Sequence, residues 1–164
     1  MNTLASILAS AIAASASLMY ASTGEILTER SGTLNLGLEG VMLMGAVMAY
    51  TTAYHTKSLA LGILAALLTG MAVGLVFAFM TVTLQANQVV CGLALVTLGT
   101  GLSGFIGKSI SGTTLPVSFQ KIAIPGLCDL PFFGKVLFRQ DPMVYALYLL
   151  IPLLYVFLFK TGPG

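Results

Sequence analysis

The sequence predicts an all-α, polytopic membrane protein with about five transmembrane helices and a broken or re-entrant segment near residues 24–40, and three observations carry that reading. Hydrophobic residues make up 57% of the 164-residue chain and charged residues only 7%, against roughly 25% charged in soluble domains, whose surface must be hydrated. The mean hydropathy is +0.99. The apolar residues also fall into runs close to the roughly 20 residues that a helix needs to cross a hydrocarbon layer about 30 Å thick, with short polar breaks between them. Seven Lys and Arg against five Asp and Glu leave a net charge of +2. Those cations form no cluster, so the chain lacks the basic stripe that nucleic acid requires, and the expected surroundings are a lipid bilayer.

Leu4 to Thr23 carries no charge and is long enough to span. Its many Ala and Ser side chains favour close packing against neighbouring helices. Ala14-Ser15-Ala16 imitates a signal-cleavage site, but Met1-Asn2-Thr3 supplies no basic region and further apolar runs follow, so the stretch reads as a retained span. Gly24 to Gly40 then gathers Glu25, Glu29, Arg30, Asn35 and Glu39 among Leu and Gly. Gly32, Gly37 and Gly40 lower helix propensity there, which is why a non-helical piece is expected; at membrane depth it needs protein or a water-lined cavity beside it. Val41 to Tyr54 is short for a span. It reaches adequate length only if its helix begins before Glu39.

His55-Thr56-Lys57 reads as a tight turn, and Leu59 to Leu84 is the clearest span, with no charged residue. Its Gly70 and Gly74 have a small-xxx-small spacing that also arises by chance in glycine-rich membrane proteins. Gln85 to Gln88 is a polar break. Val89 to Gly107 follows, with glycines at 92, 99, 101, 104 and 107 that imply a broken or a closely packed helix. Lys108 to Pro142 is the one long connection. Pro116, Pro125, Pro131 and Pro142 forbid a continuous helix, while its apolar portions point to short elements lying over the membrane domain or at its interface. Met143 to Phe159 is the last span, in which neighbouring helices can tolerate Pro152. Cys91, in an apolar run, and Cys128, in the connection, read as free thiols.

The run Glu29-Arg30-Ser31-Gly32-Thr33-Leu34-Asn35-Leu36-Gly37-Leu38-Glu39-Gly40-Val41-Met42-Leu43-Met44-Gly45-Ala46 resembles the permease subunits of bacterial ABC importers of the nucleoside and simple-sugar branch. Ala86-Asn87-Gln88-Val89-Val90-Cys91-Gly92-Leu93-Ala94-Leu95 is similar to a second signature of that family, and Pro125 through Met143 follows its loop-to-span pattern. The resemblance covers essentially the whole chain but about the first half of a family member. It therefore implies a single transmembrane domain over residues 1–164 that is the N-terminal part of a longer permease in the bacterial plasma (inner) membrane.

The same resemblance implies partners: cytoplasmic ATP-binding subunits, a second permease subunit as homo- or heterodimer, and an extracytoplasmic solute-binding protein. No cofactor is expected in this chain, since ATP is used by the partner subunit. It also implies a cytoplasmic tail and an extracytoplasmic Pro-rich loop over 108–142. The basic residues point the other way, with Arg30 and Lys160 on one side and Lys57, Lys108, Lys121, Lys135 and Arg139 on the other.

A permease needs a modest polar site along a weakly hydrated path and no covalent chemistry. Asn35 and Glu39 are the first candidates for it, since an amide exchanges donor and acceptor with a sugar hydroxyl or base edge and a carboxylate accepts from ribose hydroxyls. The competing reading has Asn35 turning the backbone and Glu39 pairing with Arg30 or lying at the headgroups. Asn87 and Gln88 are pathway candidates with an interfacial turn as the alternative. Glu29 and Arg30, with Gly32, Gly37 and Gly40, read as structural residues of the loop.

His55 has no metal-ligand partner at recognised spacing, and the chain carries no P-loop, dinucleotide fingerprint or nucleophile elbow, so no enzyme is expected. Phe77, Phe79, Phe105, Phe132 and Phe133 read as lipid-facing or packing residues. Two other functions compete with the importer: a small ion- or proton-coupled carrier using Glu39, and a noncatalytic membrane scaffold.

Overall fold

The computed structural model describes residues 2–123 and 136–160. Cys128, Phe132, Phe133 and the middle of the Pro-rich connection lie outside the described residues. Five helices account for most of the described chain: α1 (Asn2–Arg30), α2 (Leu38–Thr56), α3 (Leu59–Ala78), α4 (Gln88–Gly107) and α5 (Pro142–Lys160). A two-stranded antiparallel pair, β1 (Ile122–Ala123) and β2 (Arg139–Gln140), lies in the connection between α4 and α5, with Ile122 opposite Gln140 and Ala123 opposite Arg139. α1, α4, α5 and the α3 helix extended to Thr83 are each long and apolar enough to cross a bilayer. The fold is that of a polytopic membrane protein, with large apolar side chains turned outward; Phe105, for example, is 80% exposed, a placement that water penalises and lipid does not.

α1 does not stop at Thr23. It continues through Glu25, Glu29 and Arg30 to 29 residues, about 44 Å at 1.5 Å per residue. The non-helical piece expected over 24–40 is thus confined to residues 31–37. Glu and Arg are good helix formers, and the helix ends only where Gly32 adopts φ +85. The Gly32 amide donates to Glu29 O at 3.0 Å and the Thr33 amide to Thr28 O at 3.1 Å. This paired closure, with glycine in the left-handed conformation, is the Schellman way of ending a helix.

α2 begins at Leu38, one residue before Glu39, and runs through His55 and Thr56 to a left-handed Lys57 (φ 53). α3 passes into a π-helical turn over Phe79–Thr83, where the Leu84 amide donates to Phe79 O at 3.1 Å. α4 is continuous despite its glycines, so of the two readings of that run it is close packing that holds. The Gly70 and Gly74 pair on α3 meets nothing within 4 Å of an added Cβ.

The chain divides into two compact units. One comprises residues 27–118, in which α2 packs on α3 and α4. Its core is Val73 and Phe77 from α3 against Cys91 and Leu95 from α4, with Val41 and Met44 of α2 packed on them. The other comprises residues 1–26 and 119–164. There Ala16 of α1 meets Val144 and Leu147 of α5, Tyr20 donates its hydroxyl to Met143 O at 2.7 Å, and buried Gln140 donates its amide Nε2 to Ala9 O at 3.1 Å.

Candidate functional site

Four of the polar residues singled out by sequence gather at one end of the α2 and α4 pair. The order of contacts shows why. A Cβ on Gly92 would sit 3.0 Å from Gly37 N, one on Gly99 2.5 Å from Gly40 Cα, and one on Gly107 3.3 Å from a Val47 methyl. Contact positions rise together along both chains, so α2 and α4 run in the same direction and their N-terminal ends share one side. A Cβ on Gly40 would run into the Leu95 carbonyl oxygen and lie 2.8 Å from its carbon. The two backbones touch with no side chain between them, which only glycine permits.

The 31–37 loop and the start of α4 are tied together at that end. Gln88 Oε1 accepts from the Leu34 amide at 2.8 Å. Asn35 Oδ1 accepts from Gly37 N at 3.0 Å, the local turn that Asn side chains make with their own backbone. Asn87 caps α4, its Oδ1 accepting from Val89 N at 3.0 Å and Val90 N at 3.3 Å, which satisfies two of the amides a helix start leaves open. Glu39 is exposed in the first turn of α2, where a carboxylate complements the positive end of the helix dipole. Glu29 and Arg30 are exposed in the last turn of α1. The amide oxygens of Asn35, Asn87 and Gln88 are thereby all engaged with backbone N–H groups.

Two cavities lie further along the same unit. One of about 340 Å³ is an open depression among α2, α3 and α4, lined largely by Met44, Met48, Leu68, Ala72, Val73 and Ile106. The second, of about 560 Å³, lies between α2 and the second half of α4 with the residues after it, and includes Tyr50, Thr100, Ser103, Gly107 and Ser111 in its lining. None of Asn35, Glu39, Asn87 and Gln88 lines either cavity. The signal that sequence reasoning passed over is the pair of hydroxyls, Thr100 and Ser103, set three residues apart in an uncharged run where only the glycines drew notice. Among the described residues no group of three or more His, Cys, Asp or Glu could hold a metal ion.

Residues 7–163 match the family model described as the permease component of the branched-chain amino acid transport system. The chain belongs to this permease family. It is 36% identical, over its full length, to the glucose ABC transporter permease protein TsgC13 of Haloferax volcanii, whose name marks that assignment as provisional, and covers 51% of it. It is 35% identical over 91% of its length to the guanosine ABC transporter permease protein NupQ of Bacillus subtilis, covering 50% of it. With the nucleoside ABC transporter permease protein NupC of Lactococcus lactis subsp. cremoris the identity is 32% over 99% of the chain and 55% of the relative. The chain thus spans about half the length of the curated relatives it matches. No solved structure gives a significant match. A permease-type protein accords with the family.

Proposed function

We propose that the chain works within the membrane-spanning permease subunit of an ATP-driven importer for nucleosides or related sugar-like solutes, forming part of the translocation pathway. The observation that carries this reading is the match to three permeases named for glucose, guanosine and nucleoside, each at 32–36% identity over at least 91% of this chain. ATP is hydrolysed by separate cytoplasmic subunits, an extracytoplasmic solute-binding protein delivers the solute, and a second permease subunit completes the path. The complex resides in the plasma (inner) membrane, with the 108–142 loop outside and the tail in the cytoplasm.

In this reading Asn35, Glu39, Asn87 and Gln88 form the polar rim at one end of the α2 and α4 pair. Asn35, Asn87 and Gln88 hold its shape through their bonds to backbone, and Glu39 is exposed beside them. A proton-coupled carrier built on Glu39 finds less support, because that side chain stands exposed in the first turn of α2, whereas carboxylates that relay protons face a bundle interior or cavity.

The test is uptake of radiolabelled guanosine, cytidine, glucose and leucine into vesicles holding the full-length permease and its partners. ATP-dependent accumulation of a nucleoside or sugar, lost when the ATP-binding subunit is removed, is the expected result. Flux driven by a proton gradient without ATP would overturn the importer reading in favour of the carrier.

A further inference from the structure

We infer that the side of α2 carrying Glu39, Leu43 and Ala46 lines a water-filled passage within the membrane and does not face lipid. The inference rests on the importer reading above and names the surface of this chain that the passage follows. Two spanning helices of the 27–118 unit gauge the depth of Glu39. A Cβ on Gly99 would lie 2.5 Å from Gly40 Cα. Gly99 stands eleven residues after Gln88 in α4, about 17 Å along a helix of about 30 Å at 1.5 Å per residue. On the other flank, a Cβ on Gly62 would lie 2.9 Å from Ala49 O and one on Gly45 3.8 Å from Ala66 O, so α2 and α3 run antiparallel. Five residues back along α2 from Gly45, and five onward along α3 from Ala66, Gly40 comes level with Met71, the middle residue of the Leu59–Thr83 span. Both helices place the start of α2 near their midpoints.

Glu39 directly precedes Gly40 and is exposed. Its Cα lies about 15 Å in from the start of α4 at 1.5 Å per residue, farther than a glutamate side chain reaches. Non-helical backbone enters the same layer, because a Cβ on Gly92, four residues into α4, would lie 3.0 Å from the amide nitrogens of both Leu36 and Gly37. Inside a bilayer, ionisable side chains and irregular backbone face protein or water, since lipid offers no hydrogen bonds. The outward side of α3 at this depth is of the opposite kind, with Leu67 and Met71 59% and 63% exposed. Glu39, Leu43 and Ala46 fall at i, i+4 and i+7, one face of a helix, and all three are exposed. Further along, that face opens on the depression lined in part by Leu43, Ala46, Thr100, Ser103 and Ser111. A helix laid over this side would strip the Glu39 carboxylate of water and demand a buried cation in exchange. Water meets the same need with no partner. The wall is open, as the exposure of Glu39 requires, and is not the enclosed setting of a proton relay.

Thiol accessibility tests this in the full-length permease with its ATP-binding subunits, held in lipid nanodiscs and with the native cysteines replaced. Leu43→Cys and Ala46→Cys report on the proposed wall. Leu64→Cys and Leu67→Cys report on the outward side of α3 at matched depth. Each variant meets a charged methanethiosulfonate, which needs a thiolate in water, and a lipid-soluble maleimide, with and without a non-hydrolysable ATP analogue so that more than one state is sampled. The charged reagent should modify Leu43→Cys and Ala46→Cys at least about 10-fold faster than the α3 pair in one of the nucleotide conditions. Reaction of the wall positions with the maleimide alone would mean that lipid covers this side, and reaction with neither reagent that a helix does; either result overturns the inference. Two wall positions keep the test decisive if one variant fails to assemble. ATP-driven uptake, measured on the unsubstituted complex reconstituted into vesicles, separates the two readings. Uptake alongside wall positions closed to the charged reagent removes the passage wall and leaves the importer standing; absence of uptake removes the importer and this inference with it.

Discussion

Gly40 on α2 and Gly99 on α4 meet backbone to backbone: a methyl group placed on Gly99 would lie 2.5 Å from Gly40 Cα and 2.7 Å from its carbonyl carbon. Gly99→Ala must push two helices apart and should destabilise the unit by about 1–3 kcal/mol, the usual cost of overpacking. Gly101→Ala is the matched control, since a Cβ there meets nothing within 4 Å, and alanine in a helix interior is favoured over glycine by about 0.5–1 kcal/mol. Thermal unfolding of the two variants of the full-length permease in detergent should move in opposite directions.

Gln88 fastens the 31–37 loop to the first turn of α4 through the Leu34 amide. Gln88→Ala should free that amide and cost about 0.5–1.5 kcal/mol. Hydrogen exchange at Leu34 should quicken while exchange within α2 and α4 stays as it was. Unchanged protection at Leu34 would mean that the bond does not hold the loop.

Asn87 is a cap by geometry and a pathway candidate by sequence, and one pair of variants tells these roles apart. Asn87→Ala should lose about 0.5–2 kcal/mol of helix stability, and Asn87→Ser, itself a good cap, should recover most of it. Solute uptake that follows stability in both variants assigns Asn87 to capping. Uptake lost in Asn87→Ser despite normal folding assigns it to the solute.

Orientation can be read at Ser118, which is exposed and precedes β1. On a background carrying Cys91→Ala and Cys128→Ser, Ser118→Cys should react with an impermeant thiol reagent added to sealed cells. Protection there, with labelling only after the cells are opened, would place the long connection in the cytoplasm, as the basic-residue distribution suggests.

The spans bounded by uncharged runs were legible in the sequence almost to the residue. Leu59 to Leu84 is found as helix over Leu59 to Thr83, and Met143 to Phe159 lies within Pro142 to Lys160, because in these stretches hydrophobicity alone sets the length. Residues 24–30 were not legible, since Glu and Arg suit a helix end and a loop equally well. The stop signal was present all the same in Arg30-Ser31-Gly32, a basic residue in the last turn followed by glycine.

The contact of Gly40 with Gly99 had no sequence signature. Glycines that touch across two helices leave no trace in the spacing along either one. The polar candidates at Asn35, Asn87 and Gln88 were easy to find because amides stand out in apolar runs, and the structure occupies their oxygens with backbone amides. Tyr50, Thr100 and Ser103 were hard to find because hydroxyls are common in membrane helices, where they bond to their own backbone.

The widened turn at Phe79–Thr83 gives the connection to α4 a tolerance that the rest of α3 lacks. Removing one residue there returns the winding to ordinary α-helical pitch and keeps the chain intact. The same deletion one turn earlier swings Val73 away from the side of α3 on which it meets Cys91 and Leu95, a rotation of about 100° per residue lost. The surplus residue is thus a slack link, placed where shortening the chain does least harm.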